Sequence, residues 1–109
     1  MREIHLVAEY NWWPTWEYDE DQRFKDDYDP HELPISKNLA DNLVEWAIKY
    51  SKAFDMNNPA ASGFASENEA SNFGRQGIDL AKQLQIELGA GFKVIVDFTA
   101  DDFTDYVRT

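Results

Sequence analysis

SENEASNFGRQGIDLAKQLQIEL, residues 66 to 88, is the stretch that decides the fold. Its first four residues match the S-x-x-E capping box, in which side chains satisfy the free backbone amides at the start of a helix. Apolar and small residues then recur at helical spacing, at positions 73, 77, 80, 81, 84 and 88. The pattern predicts a helix over about 67–88, which Gly89 and Gly91 can end.

A second helix is predicted over about 37–54. Ser36 can cap it, and apolar residues follow at spacings of three and four, until Asn-Asn-Pro at 57–59 favours a turn. Gly74 and Gly77 weaken the other helix by roughly 1 kcal/mol each relative to alanine. We therefore expect a bulky neighbour to approach them closely, and Trp46 is the candidate.

Strands are predicted on either side of the helices, at 2–10 and 92–98, where apolar and polar residues alternate. The order of elements indicates an α+β fold, in which a small sheet of two or more strands is covered on one face by an antiparallel pair of helices. Two strands alone make a marginal sheet. A third strand is therefore expected from residues 11–32, from the C-terminal tail or from a second subunit.

Residues 11–32 contain WWPTWEYDEDQRFKDDYDPHE at positions 12–32 and show no sustained periodicity. We interpret them as a long acidic and aromatic loop with, at most, a turn of helix near 21–27. The acidic tail 99–109 fits either a short helix capped by Thr99 or Asp101, or a strand. The whole chain, 1–109, is interpreted as one domain, because its length allows one core.

The formal charge is −11, and most of it lies outside the predicted helices and strands. Residues 17–32 hold eight acids against Arg23 and Lys25, a net of −6, and residues 97–109 have a net of −3. Such a field repels phosphate backbones and anionic lipid surfaces, which argues against nucleic-acid and membrane binding. The absence of cysteine and of a long apolar run favours a cytoplasmic protein.

No assembled catalytic or metal-binding motif is present. The acidic run fails the EF-hand pattern, because Phe24 stands where a loop starting at Asp19 needs glycine. His5 is expected to be partly exposed on a strand and His31 to lie in a loop, and neither belongs to a catalytic pattern. We predict no enzyme activity and no cofactor.

A resemblance extends over most of the chain. The residues that carry it are Pro14, Trp16, Leu33-Pro34-Ile35-Ser36, Leu39, Leu43, Trp46, Pro59, Ser62-Gly63-Phe64, Phe73, Gly77, Leu80, Leu84 and Glu87-Leu88. This pattern is similar to that of a largely uncharacterised family of small bacterial proteins. In size and charge the chain also resembles the acidic immunity proteins that accompany toxic nuclease domains in contact-dependent growth inhibition. The resemblance implies a shared fold and a toxin as partner.

The hypothesis for function is an immunity protein that binds a basic toxin, expected to be a nuclease, through electrostatic and aromatic contacts. Acidic residues would steer the partner and tryptophans would anchor it, whereas Trp16 is expected to be buried. The residues assigned to partner binding are Trp12, Trp13, Asp19, Glu20, Asp21, Asp26, Asp27, Tyr28 and Asp29. The alternatives are an acidic interaction module or nucleic-acid mimic without a toxin, and an acidic run that only keeps the protein soluble.

Overall fold

The computed structural model describes residues 2–54 and 63–107 and has the predicted α+β architecture. Two helices pack against one face of a four-stranded mixed sheet. The elements are β1 (Arg2–Leu6), β2 (Thr15–Tyr18), β3 (Phe24–Tyr28), α1 (Lys37–Ala53), α2 (Glu67–Leu88) and β4 (Phe92–Val96), with 3₁₀ turns at Pro30–Glu32 and Asp102–Tyr106.

The strand order is β3-β2-β1-β4, which puts the N-terminal strand in the interior of the sheet. β1 pairs with β2 antiparallel and with β4 parallel. A parallel pair needs a long connection between its strands, and the hairpin and both helices supply it here. The two outer strands are therefore β3, from the acidic segment, and β4.

The prediction that residues 11–32 form a loop with a helical turn near 21–27 is wrong, because this segment forms the β2–β3 hairpin. The alternation of β2 is hidden by Glu17, an acid on the inward face that is only 3% exposed. Its carboxylate is paired with Arg2, so a charge occupies a position where the pattern search expects an apolar side chain. The expected third strand thus comes from the acidic segment.

β1 and β4 are shorter than predicted, since they end at Leu6 and Val96 rather than near residues 10 and 98. After β1 the chain turns, and Asn11 adopts a positive φ of 58°. Its amide donates to Ser51 Oγ at 3.0 Å. This hydrogen bond fixes the β1–β2 turn to α1.

Both helices begin where their caps predict. Ser36 Oγ accepts from the Leu39 amide at 3.2 Å, and Ser66 Oγ accepts from the Glu69 amide at 3.1 Å. The Glu87 carboxylate, near the end of α2, accepts from both the amide and the hydroxyl of Ser36. This contact joins the end of α2 to the start of α1, as an antiparallel pair requires.

The core is centred on Trp46, which is fully buried and stacks on Phe73 with ring centroids 4.6 Å apart. Its indole N–H donates to the Phe73 carbonyl at 2.9 Å. A Cβ built on Gly77 would lie 2.6 Å from Trp46 Cζ2, so the predicted close approach is confirmed. Gly74 similarly faces the backbone of Ala100.

The tail forms a 3₁₀ turn followed by an isolated bridge between Val107 and Phe64. Asp102, the first residue of the turn, accepts from the Thr99 amide and hydroxyl, whereas the cap residue Asp101 makes no capping hydrogen bond with its side chain. The turn predicted at 57–59 lies outside the described residues. Across 2–54 and 63–107, neither helix has the length and apolar character that crossing a membrane would require.

Candidate partner-binding surface

The two faces of the sheet carry different chemistry. On the face that meets the helices, Ile4, Leu6 and Thr15 are almost completely buried. Cross-strand partners share a face, and strand side chains alternate, so His5 and Trp16 lie together on the opposite side. We call this side, which the helices leave uncovered, the open face.

Aromatic rings run across the open face from β1 to the edge of β3. His5 and Tyr18 have ring centroids 4.2 Å apart, Tyr18 and Phe24 6.3 Å, Phe24 and Trp16 5.3 Å, and Trp16 and Trp12 5.7 Å. We call these five residues the aromatic row. Trp12 is 50% exposed and Phe24 is 47% exposed, so the β3 end of the row is accessible to a partner.

His5, which was expected to be partly exposed, is buried within this face at 7% exposure. Its ring nitrogens lie 2.8 Å from Glu3 Oε1 and 3.0 Å from Asp97 Oδ2. Glu3 also accepts from Gln22 Nε2 at 3.2 Å, and the hydrogen bonds from Gln22 and His5 lower the pKa of the Glu3 carboxyl. β1, the residue that follows β4 and the β2–β3 turn are thus joined through His5 and Glu3.

Asp19 shapes the turn between β2 and β3. Its Oδ1 accepts from the amides of Asp21 at 2.9 Å and Arg23 at 3.0 Å, and Gln22 takes a positive φ of 60°. This is a side-chain-stabilised turn of the kind that aspartate favours. Asp19 is therefore committed to the turn, whereas Glu20 and Asp21 are exposed at its tip.

Trp12 and Trp13 lie in the β1–β2 turn, and both are exposed, Trp13 at 43%. They line a groove with Val44, Ala47 and Ile48 of α1. The Trp13 carbonyl accepts from the indole N–H of Trp16 at 2.7 Å. Trp16 itself is half-buried on the open face rather than in the core, because it alternates with the inward-facing Thr15 and Glu17.

The remaining predicted residues divide between surface and support. Asp26 is exposed on β3, and Asp27 is half-buried as the cross-strand partner of Trp16. The Tyr28 hydroxyl donates to Glu17 Oε1 at 2.8 Å, which raises the pKa of Tyr28. Asp29 accepts from the His31 amide at the start of the 3₁₀ turn. Tyr28 therefore stabilises the hairpin, and Asp29 stabilises the 3₁₀ turn that follows it.

The exposed part of this surface is both acidic and aromatic. Exposed carboxylates surround aromatic rings, an arrangement that attracts positively charged groups. Within the described ranges 2–54 and 63–107, no three or more His, Asp or Glu side chains are placed to hold a metal ion.

Sequence reasoning found the acids of this surface but missed most of the aromatic row. The sequence pattern does not indicate Trp16, Tyr18 or Phe24 as surface partners of the acids, nor His5 and its carboxylate neighbours. The available signal was the spacing of Trp16 and Tyr18, two residues apart, which places both on one side of a strand. The charged Glu17 between them made that strand hard to recognise.

A comparison with protein families gives a match over residues 2–98, to the family described as Serratia CdiI immunity protein-like. The matched range contains all four strands, both helices and the whole aromatic row. The 3₁₀ turn of the tail, Asp102–Tyr106, lies beyond it. A search of curated proteins found no match.

Proposed function

We propose that this chain, which belongs to the Serratia CdiI immunity protein-like family, binds a basic toxin domain in the cytoplasm and neutralises it. The observation that supports this mode of binding is that exposed acids of the β2–β3 hairpin are accompanied by the exposed Trp12 and Trp13 of the β1–β2 turn. We infer that the β2–β3 hairpin, together with Trp12 and Trp13, contacts the toxin. Family membership supports a toxin as partner, and the residue assignments are our own.

The charge of the hairpin supports a basic partner. Residues 17–32 carry a net charge of −6, and the exposed Glu20, Asp21 and Asp26 lie in or beside the turn. Complementary charge raises association rates, to as much as about 10⁸ to 10⁹ M⁻¹s⁻¹ at low salt. The exposed tryptophans would slow dissociation, since large aromatic side chains dominate the energetics of interfaces.

We infer that the toxin is a nuclease, because a nuclease must present a basic surface to the phosphates of its substrate. An acidic hairpin docked on that surface would compete directly with the nucleic acid. Inhibition would then need no chemistry from the immunity protein, which is consistent with the absence of an assembled catalytic pattern in the sequence.

Charge reversal at the hairpin tip tests this function. Glu20→Lys with Asp21→Lys changes the charge by four units and leaves the hydrogen bonds of the Asp19 carboxylate in place. Cells that express the cognate toxin should lose protection with this variant. Toxin affinity, measured by calorimetry, should fall at least about tenfold, which corresponds to about 1.4 kcal/mol.

Two matched variants locate the interface. Glu45→Lys with Asp79→Lys makes the same charge change on exposed helix positions and should protect fully. Asp101→Lys with Asp105→Lys makes it in the acidic tail. Loss of protection only in the tail variant would move the interface there, and a wild-type chain that leaves the toxin unbound would favour an acidic interaction module.

A further inference from the structure

We propose that the aromatic row is an arginine-binding surface, on which guanidinium groups of the partner protein stack against the rings and pair with neighbouring carboxylates. The identity of that partner rests on the proposed function. The chemistry of recognition is argued from the side chains of the open face. Glu20 and Asp21, at the hairpin tip, are not part of that face. It adds Trp16, Tyr18, Phe24 and Asp97 to the binding residues.

The geometry of the rings leaves π faces available. Phe24 meets Trp12, Trp16 and Tyr18 edge to face, at interplanar angles of 82°, 72° and 85°. An edge-to-face contact covers a π face of at most one of its two rings. In the core, by contrast, Trp46 and Phe73 are stacked at 8° and cover each other. Exposed faces of tryptophan and phenylalanine attract cations within about 6 Å, arginine more often than lysine.

Carboxylates stand at both ends of the row. Asp97 holds His5 through Oδ2, while its side chain is 69% exposed. Asp27 lies opposite Trp16 on the neighbouring strand. Lys93, cross-strand from Glu3, is a cation on the same face, so arginine would be favoured towards the Asp27 and Asp97 ends.

This combination distinguishes arginine from other occupants. A guanidinium is planar, weakly hydrated and able to stack on a ring while donating to a carboxylate. An ammonium is a compact, strongly hydrated charge that cannot stack. An apolar segment would bury the Asp27 carboxylate and the exposed part of Asp97 without adding hydrogen bonds, and burial of charge without such compensation is costly.

Peptides of six arginines and six lysines test the preference without the toxin. Binding to the full chain would be followed by tryptophan fluorescence and by amide and indole chemical shifts. We expect the arginine peptide to bind about threefold to tenfold more tightly at equal ionic strength, the range that one or two exposed cation–π contacts give. The largest shifts should fall on Trp12, Trp16, Tyr18 and Phe24.

Removal of the rings should abolish the preference. Trp12→Leu with Phe24→Leu keeps exposed apolar side chains, and the arginine peptide should then bind only as well as the lysine peptide. Tyr106→Leu, at a tyrosine that is 50% exposed on the tail, is the matched control and should retain the preference. Circular dichroism would establish that all variants are folded.

Equal affinities for the two peptides, or a preference that survives in the double variant, would overturn the proposal. So would shifts confined to Glu20 and Asp21 at the hairpin tip. A double variant that binds the toxin as tightly as wild type would also overturn it, together with the assignment of Trp12 as an anchor, whereas neutralisation of a toxin by this chain would stand. A wild-type chain that does not bind the toxin contradicts the proposed function instead.

Discussion

Glu17 and Arg2 form a bidentate pair on the inward side of the sheet, with distances of 3.0 and 2.9 Å between guanidinium nitrogens and carboxylate oxygens. The Glu17 side chain is 4% exposed and that of Arg2 is 46% exposed, so the pair closes the rim of the core. The hydrogen bonds from Arg2, and then from Tyr28, lower the pKa of Glu17. This pair allows a charged residue to occupy the centre of β2.

Arg2→Ala should destabilise the fold by about 1 to 3 kcal/mol at neutral pH, because it leaves a buried carboxylate short of a partner. This loss of stability is smaller than the loss expected for a fully buried pair, because solvent screens the exposed arginine. The lowered pKa makes this stabilisation complete above the ordinary glutamate value of about 4.5 and lost as pH falls through the folded-state pKa. Urea denaturation from pH 7 to 3 measures it. The difference in free energy of unfolding between wild type and Arg2→Ala should become smaller at acidic pH. A difference that stays constant would show that the Arg2–Glu17 ion pair is not its cause.

Asp19→Ala should loosen the β2–β3 hairpin, because the Asp21 and Arg23 amides lose their shared acceptor. Amide hydrogen exchange should accelerate across β3 while the core of α2 remains protected. Glu20→Ala, one residue further along, is the control and should leave exchange unchanged. If the two variants exchanged alike, the turn would not depend on the Asp19 carboxylate.

Gly77→Ala should destabilise the protein by about 1 to 3 kcal/mol, although alanine is the better helix former by about 1 kcal/mol. The new methyl group would lie 2.6 Å from Trp46 and 2.8 Å from Phe98. Gly91→Ala is the matched control, since nothing lies within 4 Å of the added Cβ. Thermal melts followed at the tryptophan signal would compare them, and equal melting temperatures would show that the core can relax around the methyl group.

The helices could be predicted from sequence because their signals are local and agree with one another. Ser36 and Ser66 cap where the pattern places them, and Gly77 faces Trp46 as its cost in helix propensity suggested. The hairpin could not be predicted, because its signals are not local. Glu17 is tolerated inside through Arg2, which lies fifteen residues earlier in the chain, and Tyr28, which lies eleven residues later.

The candidate site was predictable in composition but not in geometry. The acidic run and the tryptophans beside it can be read directly from the sequence, whereas the exposure of both Trp12 and Trp13 is seen only in the structure. The roles of individual acids depend on the turn: Asp19 and Asp29 accept backbone hydrogen bonds, whereas Glu20 and Asp21 are exposed. No periodicity distinguishes these roles, because each depends on where the backbone amides point after the chain has folded.

His31 should give the fold a stability that decreases as the pH rises above about 6.5. Its imidazole lies 2.6 Å from Asp41 and 2.7 Å from Asp29, and hydrogen bonds to these carboxylates raise its pKa. A raised folded-state pKa means that the stabilisation is complete below the unfolded value of about 6.5 and is lost as pH rises through the folded value. NMR titration of the imidazole and thermal melts from pH 5 to 9 would measure this effect. In His31→Gln the dependence should disappear, and a melting curve with the same pH dependence in both proteins would refute the assignment.

The rate constants of toxin binding should distinguish the exposed acids of the hairpin from the tryptophan anchor. Charge reversal at Glu20 and Asp21 should slow association and remove most of its salt dependence, because steering between exposed charges is screened beyond about 10 Å at 0.1 M salt. Trp12→Ala should instead accelerate dissociation about tenfold or more, with the association rate nearly unchanged, as expected for an anchor that packs only after encounter. Surface plasmon resonance at several salt concentrations measures both rate constants.

Glu45→Lys with Asp79→Lys controls for net charge and should keep association close to that of wild type. If it slowed association as much as the hairpin variant, the effect would come from the total charge of the protein, and the hairpin would have no special part in steering.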